Sequence, residues 1–206
     1  MGIFDKFKSG LGKSSSTLTE GFKDIFSKKK IDETILEEMI NNHPTVKGIR
    51  RIVEFDNNPR ELTLSKSFIE GVNTLEKYGY HFEINVNHTQ MDIVREFVKL
   101  VPNVPMILDH CGKPGIAEGE INQFKDDLAE LSKHPNLWIK LSDLPVAADH
   151  ETWTDDDIKP YIDATIDAFG FDRTIYAGDY PDETTRIPDP NCEANGGILD
   201  LSLIHI

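Results

Sequence analysis

Residues 104–114 read VPMILDHCGKP. The first part, Val104–Asp109, is a short apolar run of the kind that forms a buried strand, and it breaks off into Asp109-His110-Cys111-Gly112-Lys113-Pro114. Similar runs flank it on both sides: Val46–Val53 and Phe82–Val86 before it, Leu137–Leu141 and Thr174–Ala177 after it. Between these strands lie Ser65–Tyr78, Gln90–Leu100, Glu120–His134 and Asp156–Phe169, each long enough for a helix. Strands alternating with helical stretches of about 10–15 residues predict βαβ units, a parallel sheet and right-handed crossovers. The expected class is therefore α/β, with five strands and four intervening helices.

Composition agrees with a packed domain. The chain has 206 residues, 38% hydrophobic and 28% charged, so wholesale disorder and fibrous classes are excluded. No apolar run reaches the ~18 residues of a membrane span, and the lysine-containing start has no signal-peptide core; a cytoplasmic protein is expected. Cys111 and Cys192 are too few for a disulfide framework or a four-thiolate zinc site. The net charge of −14 argues against nucleic acid as a partner, because neutralising phosphates needs clustered Lys and Arg.

That charge is unevenly spread. Residues 1–30 carry seven lysines against Asp5, Glu20 and Asp24, a balance of +4, which leaves −18 on the remainder. Ile3, Phe4, Phe7 and Leu11, then Phe22, Ile25 and Phe26, recur at helical spacing among those lysines, predicting two basic amphipathic helices. Ile31–Ile40 reads as an acidic third helix. The expected divisions are 1–42, basic and then acidic helices; 43–181, the α/β part; and 182–206, an irregular tail.

In parallel sheets and (β/α)8 barrels, chemistry gathers at the carboxyl ends of the strands. Four strand ends carry polar residues: Asn85-Val86-Asn87-His88, Asp109 to Pro114, Lys140-Leu141-Ser142-Asp143 and Gly178-Asp179-Tyr180-Pro181. Imidazoles, carboxylates and a lysine on one rim suit metal-assisted or general-base hydrolysis. His110 and Asp179 form the leading pair, although a strand-terminal turn would also use both. His88 reads either as a site residue or as a cap. Arg50 and Arg51 must face opposite sides of their strand; Arg50 would bind a substrate carboxylate or form a structural ion pair, and Arg51 would lie at the surface. Cys111 reads as a nucleophile or as a buried inert thiol, and Lys140, Ser142 and Asp143 as rim residues or as strand-end solvation.

Five pieces in order, VKGIRRIV (46–53), ILDHCGKP (107–114), NLWIKLSDL (136–144), WTDDDIKPYID (153–163) and FGFDRTIYAGDYP (169–181), carry a resemblance. Residues 43–181 resemble the C-terminal half of a (β/α)8 barrel of the amidohydrolase superfamily, in the amidohydrolase-2 group that includes fuconolactonase-like sugar-lactone lactonases. The resemblance implies strands four to eight of such a barrel, a small-molecule substrate, and Arg50, His110 and Asp179 at the rim, with His88 as a further substrate-binding position. It makes Asp179 the general base and His110 a carbonyl polariser or metal ligand, the metal being one divalent cation such as zinc bound by His110 and Asp179, or none. Two departures stand out. The His-x-His pair of that family is not among these residues, and Asp143 stands where the family usually has Gly.

Residues 1 to about 40 instead resemble the first helices of the bacterial signal-recognition-particle receptor, carried by MGIFDKFKSGLGKSSSTL and FKDIFSKKKIDETILEEMI. This implies a peripheral contact of residues 1–30 with anionic lipid at the inner membrane surface, without the receptor's GTPase, since no G-x-x-x-x-G-K-[ST] loop occurs. The closing LSLIHI can be read as CTG TCT CTT ATA CAC ATC, a transposon end used in library preparation. Together these features lead to the expectation of a chimeric or truncated reading frame holding an incomplete hydrolase with impaired activity, one that pairs with a second copy through open sheet edges.

Overall fold

The computed structural model describes residue 37, residues 45–149 and residues 151–178. The expected N-terminal helices, Asp179, Cys192 and the tail lie outside the described residues. Five strands form one sheet in the order β1-β2-β3-β4-β5, and every neighbouring pair is parallel. They are β1 (Gly48–Ile52), β2 (His81–Asn85), β3 (Met106–Leu108), β4 (Leu137–Leu141) and β5 (Thr174–Tyr176). Strands adjacent in sequence being adjacent in space, each joined by a helical crossover, is the winding of a (β/α)8 barrel, here in part.

The crossovers are α1 (Pro59–Thr63) with α2 (Lys66–Thr74), then α3 (Met91–Leu100), α4 (Ile121–Leu131) and α5 (Asp155–Phe169). α2, α3, α4 and α5 fall where hydrophobic periodicity predicts them. α1 is additional, and its start on Pro59 supplies a residue whose fixed φ suits a first helical position. Ser65 caps α2 by accepting from the Phe68 backbone N–H at 3.2 Å. At the head of α5, the Asp157 carboxylate accepts from the Thr154 backbone N–H at 2.8 Å, half of a capping box.

The core lies between the sheet and these helices. Phe82, Ile84, Met106, Leu108, Leu137 and Ile139 alternate out of the strands onto Val94, Phe97, Leu128 and Leu131, all essentially inaccessible. Phe68, Phe82 and Phe97 meet edge to face, with centroids 5.6–5.9 Å apart. Burying each large side chain stabilises the fold by roughly 1.5–3 kcal/mol. The same alternation turns His81, Glu83 and Asn85 of β2 to the opposite, inner face. The sheet therefore presents polar side chains where a closed barrel has its interior.

Among the described residues, no helix is long and apolar enough to cross a membrane.

Candidate functional site

Arg50 and Glu83 are neighbours by register, since residue 50 of β1 lies opposite residue 83 of β2. Arg50 Nη2 meets Glu83 Oε1 at 2.9 Å, and Arg50 Nη1 approaches Asp109 Oδ2 at 3.5 Å. Lys140 reaches the same carboxylates from β4, pairing with Glu83 Oε1 and lying 3.3 Å from Asp109 Oδ1. Inward side chains of alternate barrel strands share a layer, which is how β2 and β4 meet across β3. Asn85 Nδ2 adds a hydrogen bond to Asp109 Oδ2 at 3.0 Å. Glu83, Asp109 and Lys140 are buried, whereas the Arg50 side chain keeps 26% of its surface exposed. Arg50 is thus the more exposed of the two cations in the cluster. Arg51 points the other way and pairs with Asp56 at 2.8 Å.

His110 joins the cluster through an unusual turn. β3 ends at Leu108, and His110, Cys111, Gly112 and Lys113 all take positive φ, at 49°, 54°, 72° and 47°. Three of these are not glycine, and such conformations cost on the order of 1–2 kcal/mol each. The only other positive-φ residue besides glycine among the described residues is Asp143, at 61°, just beyond β4. Its backbone explains why a glycine would suit that position. All four strained residues therefore follow the carboxyl ends of β3 and β4. The turn sets the His110 ring between Asp109 Oδ2, 3.1 Å from Nε2, and Ser142 Oγ, 2.9 Å from Nδ1.

Electrostatics separates the two carboxylates. Burial, and then the neighbouring Asp109, push the Glu83 carboxyl up to about 7 against the pull of Arg50 and Lys140. For Asp109, burial acts in the same upward direction. It is outweighed by hydrogen bonds with His110 and Glu83 and by the charges of His110 and Arg50, so Asp109 stays below the usual carboxylate range. Three buried oxygens here, Glu83 Oε2, Asn85 Oδ1 and Asp109 Oδ1, accept no hydrogen bond. The site therefore combines a partly exposed arginine side chain with buried oxygens that lack hydrogen-bond donors.

The structure brings Arg50 and His110 together around Asp109. His88 is placed apart: it lies in the turn after β2, with Nδ1 2.8 Å from Glu120 Oε2 at the head of α4. Asp179 lies outside the described residues. Glu83 was not singled out by the sequence reading, and Lys140 only as a rim residue. The available signal was the polar alternation His81, Glu83, Asn85 opposite Phe82 and Ile84. Cys111 is fully buried, its thiol pushed up to about 12 by burial, which fits the inert reading.

A divalent cation is a poor fit to the described donors. The carboxylates already face Arg50 and Lys140, both ring nitrogens of His110 have partners, and a further two positive charges would meet two resident cations. Among the described residues, no group of three or more His, Cys, Asp or Glu side chains is arranged to hold a metal ion.

With this geometry in place, the relatives become informative. The amidohydrolase family profile matches residues 29–200, well over half of the chain. The chain belongs to the amidohydrolase family. An uncharacterized protein of Sinorhizobium fredii, y4mH, is 26% identical over 168 residues, covering 78% of this chain and 55% of that one. An L-fucono-1,5-lactonase of Burkholderia ambifaria is 30% identical over 107 residues, covering 48% of this chain and 34% of that one. The chain thus spans about half or less of the length of these relatives. A zinc-bound amidohydrolase structure from Burkholderia multivorans superposes with a TM-score of 0.70 at 22% identity, covering 94% of this chain and 76% of that one, which shows the shared fold. Amidohydrolases commonly bind a divalent metal, and that structure does so.

Proposed function

We propose that this amidohydrolase hydrolyses a cyclic ester of a sugar acid or a related small carbonyl substrate. The observation that carries the reading is the Arg50 guanidinium, anchored on Glu83 and Asp109 while 26% of its side chain stays exposed. The lactonase among the relatives supports the substrate class.

In this reading, water attacks the lactone carbonyl carbon and Asp179, as general base, takes its proton. Negative charge develops on the carbonyl oxygen, where Arg50 donates, an interaction strongest in the transition state. The ring carbon–oxygen bond then breaks, and the proton held by Asp179 passes to the ring oxygen, giving a hydroxy acid. His110 holds Asp109 beside Arg50 through Nε2, and would polarise the carbonyl as well only by releasing Ser142 Oγ from Nδ1. His88 has no part in these steps and braces the rim through Glu120. The metal is left out because the described donors already serve two cations.

The test is proton release from L-fucono-1,5-lactone and a panel of other aldonolactones by the purified chain. Hydrolysis above the buffer rate that falls in Arg50→Ala and in Asp179→Asn is expected. Hydrolysis no faster than buffer, with or without added zinc, defeats the reading.

Residues 1–30 favour a second, separate role at an anionic lipid surface through their +4 charge and Phe4, Phe7 and Leu11. Salt-sensitive cosedimentation with phosphatidylserine vesicles is the expected result, and its absence removes that role. Pairing of two copies through the outer strands β1 and β5 belongs to the same set of proposals and is read from the molar mass in light scattering.

A further inference from the structure

We propose that Glu83 is a positioning residue that builds, with Asp109, a preformed guanidinium pocket holding Arg50 in its substrate-facing pose. The pocket starts from the strands: register sets residues 50 and 83 side by side on β1 and β2, so the arrangement does not depend on a loop. Glu83 Oε1 takes Arg50 Nη2 at 2.9 Å and also holds Lys140, so one carboxylate oxygen ties the cations of β1 and β4 together. Asp109 Oδ2 lies 3.5 Å from Arg50 Nη1 and is itself fixed by Asn85 at 3.0 Å. Both guanidinium ends thus face buried, positioned carboxylates, the fork geometry for which Arg rather than Lys is suited. The groups around Glu83 are Arg50 from β1, Asp109 beyond β3 and Lys140 from β4, with His81 two residues away on β2.

Arginine carries five N–H donors, and the two carboxylates engage only one edge of the group. The N–H groups that the carboxylates do not engage remain as donors for a substrate oxygen. A guanidinium fixed before substrate arrives loses little freedom on binding, which is where preorganised sites gain affinity and rate. Without Glu83 the Arg50 side chain would swing among rotamers and Lys140 would lose the partner that it shares. The substrate role of Arg50 rests on the function proposed above, whereas the pocket itself can be tested without turnover.

The experiment uses the full chain at pH 8. Arg50→Ala removes the guanidinium and leaves the pocket, which low-millimolar guanidinium chloride should refill. At ten times its dissociation constant the ligand should raise the melting temperature by about 3–5 °C relative to matched sodium chloride. Arg50→Ala/Glu83→Gln should show no such rise. An equal rise in both variants, or none in Arg50→Ala, overturns the proposal. A second measurement covers failure of Arg50→Ala to fold: nitrogen-15 arginine spectra of wild type and Glu83→Gln, with the Arg50 signal identified by its loss in Arg50→Lys. Solvent-protected Arg50 N–H signals should be present in wild type and lost in Glu83→Gln, and their persistence in Glu83→Gln overturns the proposal. Loss of lactone hydrolysis with the pocket intact would instead count against the proposed function alone.

Discussion

Arg50 and Glu83 sit opposite each other on neighbouring parallel strands, and their side chains close to 2.9 Å on the inner face of the sheet. The pair is asymmetric: Glu83 is buried while a quarter of the Arg50 side chain remains accessible. Removing the accessible partner should therefore affect substrate more than removing a surface arginine would. Charge-assisted hydrogen bonds contribute about 1.5–3 kcal/mol, so Arg50→Ala should lower kcat/KM on a hydrolysed lactone by roughly ten- to a hundredfold. Arg51→Ala, which breaks only the half-exposed pair with Asp56, should leave kcat/KM within about twofold. Steady-state kinetics on the two variants checks both outcomes.

The raised Glu83 carboxyl makes a prediction about stability and pH. Its folded value of about 7 lies above the ordinary 4.5, so between these values the native state holds a proton that the unfolded chain has released. The associated stability is fully present below about pH 4.5 and is lost as pH rises through about 7. Asp109 behaves in the opposite sense, its stability being present above its ordinary value of 3.8 and lost in stronger acid, so the two effects occupy different windows. Urea unfolding from pH 5 to pH 8 should show wild type losing at most roughly 3 kcal/mol that Glu83→Gln does not lose. Parallel pH curves for the two proteins would contradict the assignment of Glu83.

The strands and the four longer helices were legible because hydrophobic alternation and amphipathic spacing are local properties of the chain. β3 is shorter than the apolar run Val104–Asp109 at both ends, and His110–Lys113 beyond it turn in left-handed backbone that nothing in the residue types His110 and Cys111 announces. His110 and Arg50 were visible as polar residues at a strand end and in a strand. Glu83 was not, because its meaning depends on register with Arg50 and on β4 bringing Lys140 across β3. Those are relationships among strands separated by about 30 to 60 residues, and a single strand, HFEIN, does not contain them. His88 illustrates the converse: it read either as a site residue or as a cap, and its ring partner Glu120 comes from the head of α4, beyond the next helix and strand.

Cys111 should be chemically silent in the folded protein. It is fully buried, its Sγ lies 3.3 Å from the Lys140 carbonyl, and burial holds the thiol protonated well above neutral pH. Iodoacetamide should label Cys111 only after denaturation, as read by peptide mass spectrometry. Labelling of the native protein at a rate near that of a free thiol would contradict this burial.

Gly48 and His81 supply a last test, this time of the sheet's inner face. They are register partners at the starts of β1 and β2, and the imidazole lies so close over the glycine that an added Cβ would come within 2.3 Å of His81 Nε2. A real Cβ cannot occupy that space, so Gly48→Ala must push the ring away or separate the strands. The ring is half-buried, and burial followed by the Lys140 charge holds its pKa below the ordinary value, so displacement also disturbs the neighbourhood of the Glu83 cluster. Overpacking of this kind costs about 1–3 kcal/mol. Gly48→Ala should lower stability by that amount, His81→Ala by less, and the double variant should recover most of the Gly48→Ala loss because the obstructing ring is gone. A thermodynamic cycle from chemical denaturation measures the coupling directly. Additive losses would mean that the imidazole does not rest on Gly48 and that the inner face is built differently.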